Sequence, residues 1–314
     1  MIRKELPKGT VLFGAIGAYT IAGVLGYGGF GIIYSAVTTG KGLPRKVALK
    51  ELFPYGKCRR SFADDSPDLV AIDPVRLKEI NVYRNCFARE GRILQTVVHN
   101  GIVRYIEMFQ AHGTFYLVTE LLDGMTLKEL VYRNEEFSFK DAFNIILKLS
   151  EILSYLHSKN VVHLDVKPAN VILTDTGRII LLDFGQATYL DSYVPEKDYI
   201  GGFSDRYTAP EIKDNLNNIS VRCDVFSLGA LFYNLITGKN PPEITRAKKY
   251  IFTFDESVPD TFRLAIEKAM ASTPKNRTEN IKAFLEDLNL DDVTKTDNRR
   301  YSSKNRYFAP SNNI

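Results

Sequence analysis

The most constraining feature of this sequence is a polar segment near its middle, residues 163–170. Asp165, Lys167 and Asn170 lie within it, and Asp183 follows Asn170 by thirteen positions. An aspartate can accept a hydroxyl proton, a lysine can stabilise a transferring phosphoryl group, and Asn and Asp oxygens are ligands that Mg²⁺ prefers. The segment therefore predicts catalysis by Asp165 and Lys167, with Mg²⁺ held by Asn170 and Asp183.

A glycine-rich run lies much earlier in the chain. Its glycines would let backbone amides approach a polyphosphate that any Cβ would hold away. Alone the pattern is weak, because dinucleotide-binding folds carry a similar one. There the glycines open a helix, whereas Ile32, Ile33 and Tyr34 continue here as a strand. The run consists of Leu25, Gly26, Tyr27, Gly28, Gly29, Phe30, Gly31, Ile32 and Ile33.

Lys50 is the next candidate, on an apolar strand predicted at residues 45–52. A lone strand lysine is usually a surface residue, but here it follows the glycine-rich hairpin and precedes a helix, predicted at 88–97, that contains Glu90. That carboxylate could orient Lys50 toward phosphate oxygens. Glycine inside a helix costs about 1 kcal/mol relative to alanine, and the sequence alone does not explain why Gly91 stands there.

The remaining periodicity predicts strands in the first third and helices afterwards. Strands are expected at 19–25, 31–37, 105–110 and 114–119. A long helix is expected at 140–157, with Ser138 and Asp141 placed like a capping box at its start. Asp73 and Pro74 have the pattern of a helix start. The stretch from Phe53 to Arg84 is long for a loop, so it is either an insertion or contains a short helix after Pro74.

Composition limits the class of protein. With 45% apolar residues and a formal charge of +4, the chain is expected to be one globular domain that binds no nucleic acid. Cys58, Cys86 and Cys223 are an odd number in unrelated contexts, which favours a reducing cytoplasm over a disulfide framework. The uncharged stretch 9–40 could suggest a membrane anchor, but its repeated glycines favour two strands.

These blocks, in this order, resemble the eukaryotic-type (Hanks-type) Ser/Thr protein kinase family. The similarity runs from about residue 19 to 288. The connection after Lys50 is similar to that of some bacterial members. Three later motifs also match: Ala209-Pro210-Glu211, then Asp224-Val225-Phe226-Ser227-Leu228-Gly229, then Arg277.

The resemblance implies an α+β, bilobal kinase fold, with an antiparallel sheet plus one helix in the N-lobe and a mainly helical C-lobe. It also implies that ATP binds between the lobes and that Mg²⁺ is a cofactor. Adenine would lie among Ile33, Ala48 and Ile172, and a hinge from Glu120 to Leu122 would bond its edge. Thr119 would be the gatekeeper residue. The implied parts are an extension 1–18, an N-lobe 19–122, a C-lobe 123–290 and a polar tail 291–314. Glu211 and Arg277 would form a buried ion pair, and Asp224 would support the catalytic segment.

The implied activity is transfer of the γ-phosphoryl group of ATP to Ser or Thr of protein substrates whose identity the sequence does not give. Lys167 and Ser204 favour Ser/Thr over Tyr. Leu164 stands where many members carry an arginine that pairs with an activation-loop phosphate, so we expect no need for that phosphorylation. We also expect a monomer or transient self-association.

Two alternatives to an active protein kinase remain. One is a pseudokinase acting as a nucleotide-binding interaction module, although Lys50, Asp165, Asn170 and Asp183 are all intact. The other is a small-molecule phosphotransferase. Such enzymes share the central Asp and the downstream Asn but usually lack Asp183-Phe184-Gly185 and the later motifs.

Overall fold

The computed structural model of the chain describes residues 5–39, 42, 45–61, 67–133, 137–190, 206–214, 218–244 and 250–288. They form two compact units. The first contains the described residues up to Val98 together with Val103–Leu122, and the second contains His99–Ile102 and the described residues from Asp123 onward. An antiparallel sheet with a long helix makes up the first unit and the second is mainly helical, which confirms the predicted α+β class. Ser204 and the predicted tail, 291–314, lie outside the described residues.

The first unit is built on antiparallel strands. They are β1 (Val11–Phe13), β2 (Ala18–Tyr27), β3 (Gly31–Thr38), β4 (Lys46–Leu52), β5 (Cys58–Arg60), β6 (Leu69–Ala71), β7 (Tyr105–Ala111) and β8 (Thr114–Glu120). Six of them form one sheet in the order β1-β2-β3-β4-β8-β7, and β5 pairs with β6. The five predicted strands agree with β2, β3, β4, β7 and β8 to within two residues at each end. Strands β1, β5 and β6 were not predicted from the sequence.

Side chains alternate across the sheet with the period of two that a pleated strand imposes. In β3, Ile32, Tyr34 and Ala36 are buried in the core, whereas Ile33 and Ser35 are only partly buried. β4 repeats this pattern in register, because Ile33 lies opposite Lys50 and Ser35 lies opposite Ala48.

Helix α1 (Pro74–Thr96) is much longer than the helix predicted at 88–97. Its start was indicated correctly, since Asp73 caps it by accepting a hydrogen bond from the Arg76 amide at 2.9 Å. The prediction was too short because the first turns face solvent and lack an apolar stripe. Gly91 lies against β7, where a Cβ would come within 2.7 Å of the Met108 sulfur. Close packing of the helix on the sheet therefore explains this glycine.

The second unit contains six helices among its described residues, together with short strands. They are β9 (Gly124–Thr126), α2 (Leu127–Tyr132), α3 (Phe139–Ser158), β10 (Val161–Val162), β11 (Val171–Thr174), β12 (Ile179–Leu181), β13 (Thr188–Tyr189), α4 (Pro210–Asp214), α5 (Val221–Thr237), α6 (Asp260–Ala269) and α7 (Ile281–Asp287). The strands pair in the orders β12-β11-β9 and β10-β13. Helix α3 confirms the prediction at 140–157, and Ser138 caps it through the Asp141 amide at 3.0 Å.

The core of the second unit surrounds α5. Every side chain from Cys223 to Leu235 is buried, as expected of a helix enclosed on all faces. Aromatic rings join it to neighbouring helices. The ring centre of Phe262 of α6 lies 5.1 Å from that of Phe232, and the Phe262 ring stacks on Phe143 of α3 with 6.2 Å between the ring centres. This enclosed helix gives a rigid support for the polar residues described below.

Among the residues that the structure describes, no helix is both long enough and apolar enough to cross a lipid bilayer. The uncharged stretch at 9–40 instead contains strands β1, β2 and β3.

Candidate active site

The glycine-rich run forms the end of the β2–β3 hairpin. The Gly28 amide donates to the Gly31 carbonyl at 2.9 Å, which closes the turn. A Cβ on Gly26, Gly28 or Gly29 would meet no described protein atom within 4 Å. At Gly31, by contrast, it would lie 1.7 Å from the Glu51 carbonyl oxygen. Strand packing therefore explains Gly31, whereas the other three glycines leave space open over the turn.

Lys50 and Glu90 are brought together in the first unit. The Lys50 ammonium donates to both carboxylate oxygens of Glu90, at 2.7 and 2.9 Å. The Glu90 side chain is 3% exposed, and the Lys50 ammonium also lies 5.7 Å from the ring centre of Phe30 and 5.9 Å from that of Phe87. The pair fixes the direction of a desolvated cation beside the sheet.

The remaining nucleotide-site candidates of the first unit lie on β2, β3, β4 and the end of β8. Ile33 and Ala48 are partly buried on the same sheet face as Lys50. Leu25 is 52% exposed on β2. Glu120 is held in place, since its carboxylate accepts from the Arg104 amide at 2.9 Å and its own amide donates to the Arg104 carbonyl at 3.0 Å. Leu122, partly buried, ends this unit.

In the second unit, Asp165 is the centre of a compact polar cluster. Lys167 donates to both of its carboxylate oxygens, at 2.9 and 2.7 Å. The side-chain amide of Asn170 donates to the Asp165 carboxylate and to its carbonyl oxygen, each at 2.8 Å. Three hydrogen bonds to the carboxylate and one to the backbone carbonyl thus fix the orientation of Asp165, a residue that is 6% exposed.

Burial raises the pKa of Asp165 above the ordinary aspartate value, although the Lys167 ammonium opposes this shift, and the nearby Asp183 carboxylate adds to it. A raised pKa makes a carboxylate a better proton acceptor while it remains ionised near neutral pH. Asp165 therefore has the environment of a general base.

Asp224 of α5 supports the backbone immediately before Asp165. Its carboxylate accepts from the amides of His163 at 2.9 Å and Leu164 at 2.8 Å, and from the His157 ring at 2.8 Å. Burial alone would raise the pKa of Asp224, but the hydrogen bond and charge of His157 and the His163 contacts together lower it. Leu164 has a φ of 65°, a costly conformation for leucine that these bonds hold in place.

Asp183 and the residues around it lie beside the Asn170 segment. The Leu182 amide donates to the Asn170 carbonyl at 2.8 Å, Asp183 has a φ of 53°, and the Gly185 amide reaches its carboxylate at 3.3 Å. His163 has structural contacts, because its ring bonds the Leu182 carbonyl and lies with its centre 4.8 Å from that of the Phe184 ring. Ile172, the second residue of β11, is partly buried.

The donor set fits Mg²⁺ bound together with a polyphosphate rather than a metal site made by protein alone. Asn170 and Asp183 supply hard oxygen ligands, as Mg²⁺ requires. Within the described part of the chain, no group of three or more His, Cys, Asp or Glu side chains could hold a metal ion. Mg²⁺ commonly completes its shell with phosphate oxygens and water.

The predicted ion pair between Glu211 and Arg277 is confirmed. The guanidinium donates to the two carboxylate oxygens at 2.6 and 2.9 Å, and neither side chain is exposed. Arg277 also bonds the Ala271 and Arg222 carbonyls, which satisfies this buried cation. The pair joins α4 to the segment before α7 and takes no part in chemistry.

Some neighbours of the candidate site residues were not predicted from the sequence. The His157 ring bonds the buried Asp224 carboxylate at 2.8 Å, and its position on α3 gives no local sign of this contact. The aromatic contacts of Lys50 with Phe30 and Phe87 were also missed. The sequence sign of these contacts is that both phenylalanines stand beside the recognised motifs.

The family model described as the protein kinase domain matches residues 19–306 of the chain. The chain belongs to the protein kinase domain family. The motif order predicted this, and the prediction is confirmed.

Named relatives agree with the family. The serine/threonine-protein kinase PrkC of Bacillus subtilis (strain 168) is 29% identical over 300 residues, which cover 92% of this chain and 42% of that protein. The probable serine/threonine-protein kinase PknB of Lactococcus lactis is 27% identical over 282 residues, covering 86% and 41%. This chain therefore spans about two fifths of the length of these curated relatives.

Among solved structures, the apo form of PpkA-294 has a TM-score of 0.74 to this chain at 22% identity. The match covers 91% of this chain and 99% of that one. It shows the protein kinase fold.

Proposed function

We propose that this chain is an ATP-dependent protein kinase that transfers the γ-phosphoryl group to Ser or Thr hydroxyl groups of proteins. The observation that carries this proposal is the cluster around Asp165, in which one nearly buried carboxylate with a raised pKa is oriented by Lys167 and Asn170. Phosphoryl transfer needs a positioned proton acceptor next to a cation, and this cluster provides both.

Asp165 would orient the acceptor hydroxyl and take its proton. Lys167, already bonded to Asp165, would move its ammonium toward the oxygens of the transferring group as negative charge develops there. A rigid carboxylate places the hydroxyl oxygen for attack and so lowers the entropic part of the barrier.

The first unit would bind the phosphates and the base. Lys50, oriented by Glu90, would hold phosphate oxygens, and the open turn at Gly26, Gly28 and Gly29 would direct backbone amides at them. Ile33 and Ala48 would contact adenine, and the backbone from Glu120 to Leu122 would bond its edge. Leu25 and Gly31 would border this site.

Bound Mg²⁺ would neutralise charge on the phosphates. Asn170 and Asp183 would hold it, since both present hard oxygens beside the Asp165 cluster.

The Ser/Thr preference rests on Lys167 and on the two bacterial relatives, both named as serine/threonine-protein kinases. A reducing compartment such as the cytoplasm is part of the proposal, because Cys58, Cys86 and Cys223 are buried free thiols.

The test is incorporation of labelled phosphate from ATP and Mg²⁺ into a generic basic protein and into the chain itself. Asp165→Asn and Lys50→Met should each lower the rate by about 100-fold or more. Lys282→Gln, at an exposed position of α7, is the matched control and should retain the native rate. Incorporation on Ser or Thr that is lost in both variants supports the proposal. Nucleotide binding without any incorporation by the native chain would contradict it and favour a pseudokinase.

A further inference from the structure

A groove of about 430 Å³ adjoins the Asp165 cluster within the second unit. Lys167, Pro168 and Ala169 of the catalytic segment line it on one side, and Lys128 and Arg206 also line it. Since Lys167 binds the Asp165 carboxylate, an acceptor side chain that reaches Asp165 has its neighbouring residues close to this groove.

The described lining is positively charged. Lys128 and Arg206 are exposed, and none of the described lining residues is acidic. Ala169, at the edge of the catalytic segment, contributes only a methyl group. The Lys167 charge is largely balanced by Asp165, so Lys128 and Arg206 set the sign of the potential in the groove.

Glu129, the acidic neighbour of Lys128 in sequence, does not neutralise the groove because it is committed elsewhere. Its carboxylate accepts from the Thr126 amide and hydroxyl, each at 2.8 Å, and completes a capping box at the start of α2. The hydrogen bond from the Thr126 backbone lowers the pKa of Glu129.

Arg206 is held in a defined orientation. One of its terminal nitrogens donates to the Pro241 carbonyl at 2.8 Å. A guanidinium carries five N–H donors in a planar fork, so this bond anchors one end of the group while other donors can meet an anionic oxygen.

We propose that this groove selects protein substrates that carry a negatively charged side chain close to the acceptor Ser or Thr, and that Lys128 and Arg206 are the residues that recognise it. The inference rests on the proposed kinase activity and names the substrate class of that site. The shared chemistry is an anionic oxygen group, which an Asp or Glu carboxylate or a phosphorylated residue can supply.

The test is a series of peptides with one Ser acceptor in a neutral background, in which each flanking position in turn carries Glu, phosphoserine, Gln or Lys. We expect kcat/KM for the best Glu peptide to exceed that of the matching Lys peptide by about 10-fold, since attraction is replaced by repulsion. The preference should weaken as salt rises. A higher kcat/KM for phosphoserine than for Glu would identify phosphate as the preferred source, and the reverse would identify carboxylate.

The double variant Lys128→Glu and Arg206→Glu should lose this preference or invert it. Lys282→Glu changes the charge at an exposed site outside the groove by as much as each of the two substitutions does, and it should keep the preference. Equal turnover of Glu, Gln and Lys peptides by the native chain would overturn the inference while leaving the kinase proposal intact. A preference that survives in the double variant would also overturn it. No turnover of any peptide or of the basic protein would instead overturn the kinase proposal, and this inference with it.

Discussion

The guanidinium of Arg60 lies 2.6 Å from the carboxylate of Glu51, and neither side chain is exposed to solvent. Glu51 follows Lys50 on β4, whereas Arg60 belongs to the β5–β6 hairpin of the connection to α1. The hydroxyls of Tyr34 and Tyr116 also donate to Glu51, each at 2.9 Å. The connection is therefore attached to the sheet directly beside the lysine proposed to bind phosphate.

The first prediction concerns this pair. Arg60→Met should lower the free energy of unfolding by about 3–5 kcal/mol, because it leaves the Glu51 carboxylate buried without its cation. Urea denaturation of the native chain and the variant measures this. Arg59→Met, at the exposed neighbouring position of β5, is the control and should change stability little. A loss for Arg60→Met no larger than the control would show that the buried pair contributes nothing.

The second prediction concerns His157 and Asp224. His157→Leu should reduce stability at neutral pH by about 2 kcal/mol, since it removes a hydrogen bond to a buried carboxylate. The pKa of Asp224 is lowered in the native fold, so its stabilising contribution is present above the unfolded aspartate pKa and is lost as pH falls through the lower folded value.

Without His157 the pKa of Asp224 in the folded chain rises toward the unfolded value, so the stability lost on acidification should be smaller in His157→Leu than in the native chain and should be complete at a higher pH. Urea denaturation at several pH values tests this. His157→Gln retains a donor and should behave more like the native chain. Parallel pH curves for His157→Leu and the native chain would contradict the assigned role.

The third prediction separates two glycines of the same turn. Gly31→Ala should destabilise the chain by about 3 kcal/mol, because its Cβ would collide with the Glu51 backbone. Gly29→Ala meets no described protein atom and should change stability by less than about 0.5 kcal/mol. It should nevertheless raise the KM for ATP by about 10-fold if a backbone amide there bonds phosphate. Equal effects of the two changes on both stability and KM would refute this distinction.

The fourth prediction concerns the orientation of Lys50. Glu90→Gln removes the charge that directs the ammonium and should lower kcat/KM for phosphorylation by about 10- to 100-fold. Glu79→Gln, on the same helix but bonded to Lys57 and Arg76, is the control and should reduce kcat/KM much less. Initial rates at subsaturating ATP are the measurement. Similar losses in the two variants would point to a general weakening of α1 rather than to Lys50.

Local patterns were sufficient for much of the fold. Alternating apolar residues predicted β2, β3, β4, β7 and β8, and the apolar stripe with its Ser138 cap predicted α3, because both signals depend only on neighbouring residues. The first turns of α1 and the short strands β1, β5 and β6 were missed. The three strands depend on contacts outside their own short segments, as Arg60 with Glu51 and Leu12 with the sheet core illustrate.

The sequence by itself determined the family and the chemical identity of the candidate site, because kinase motifs are short runs whose order and spacing can be read directly. It could not determine environment. The raised pKa of Asp165, the contact between His157 and Asp224, and the groove lined by Lys128 and Arg206 arise where distant segments meet. Only the tertiary structure decides them, because burial and electrostatic interaction depend on distance in space rather than on separation along the chain.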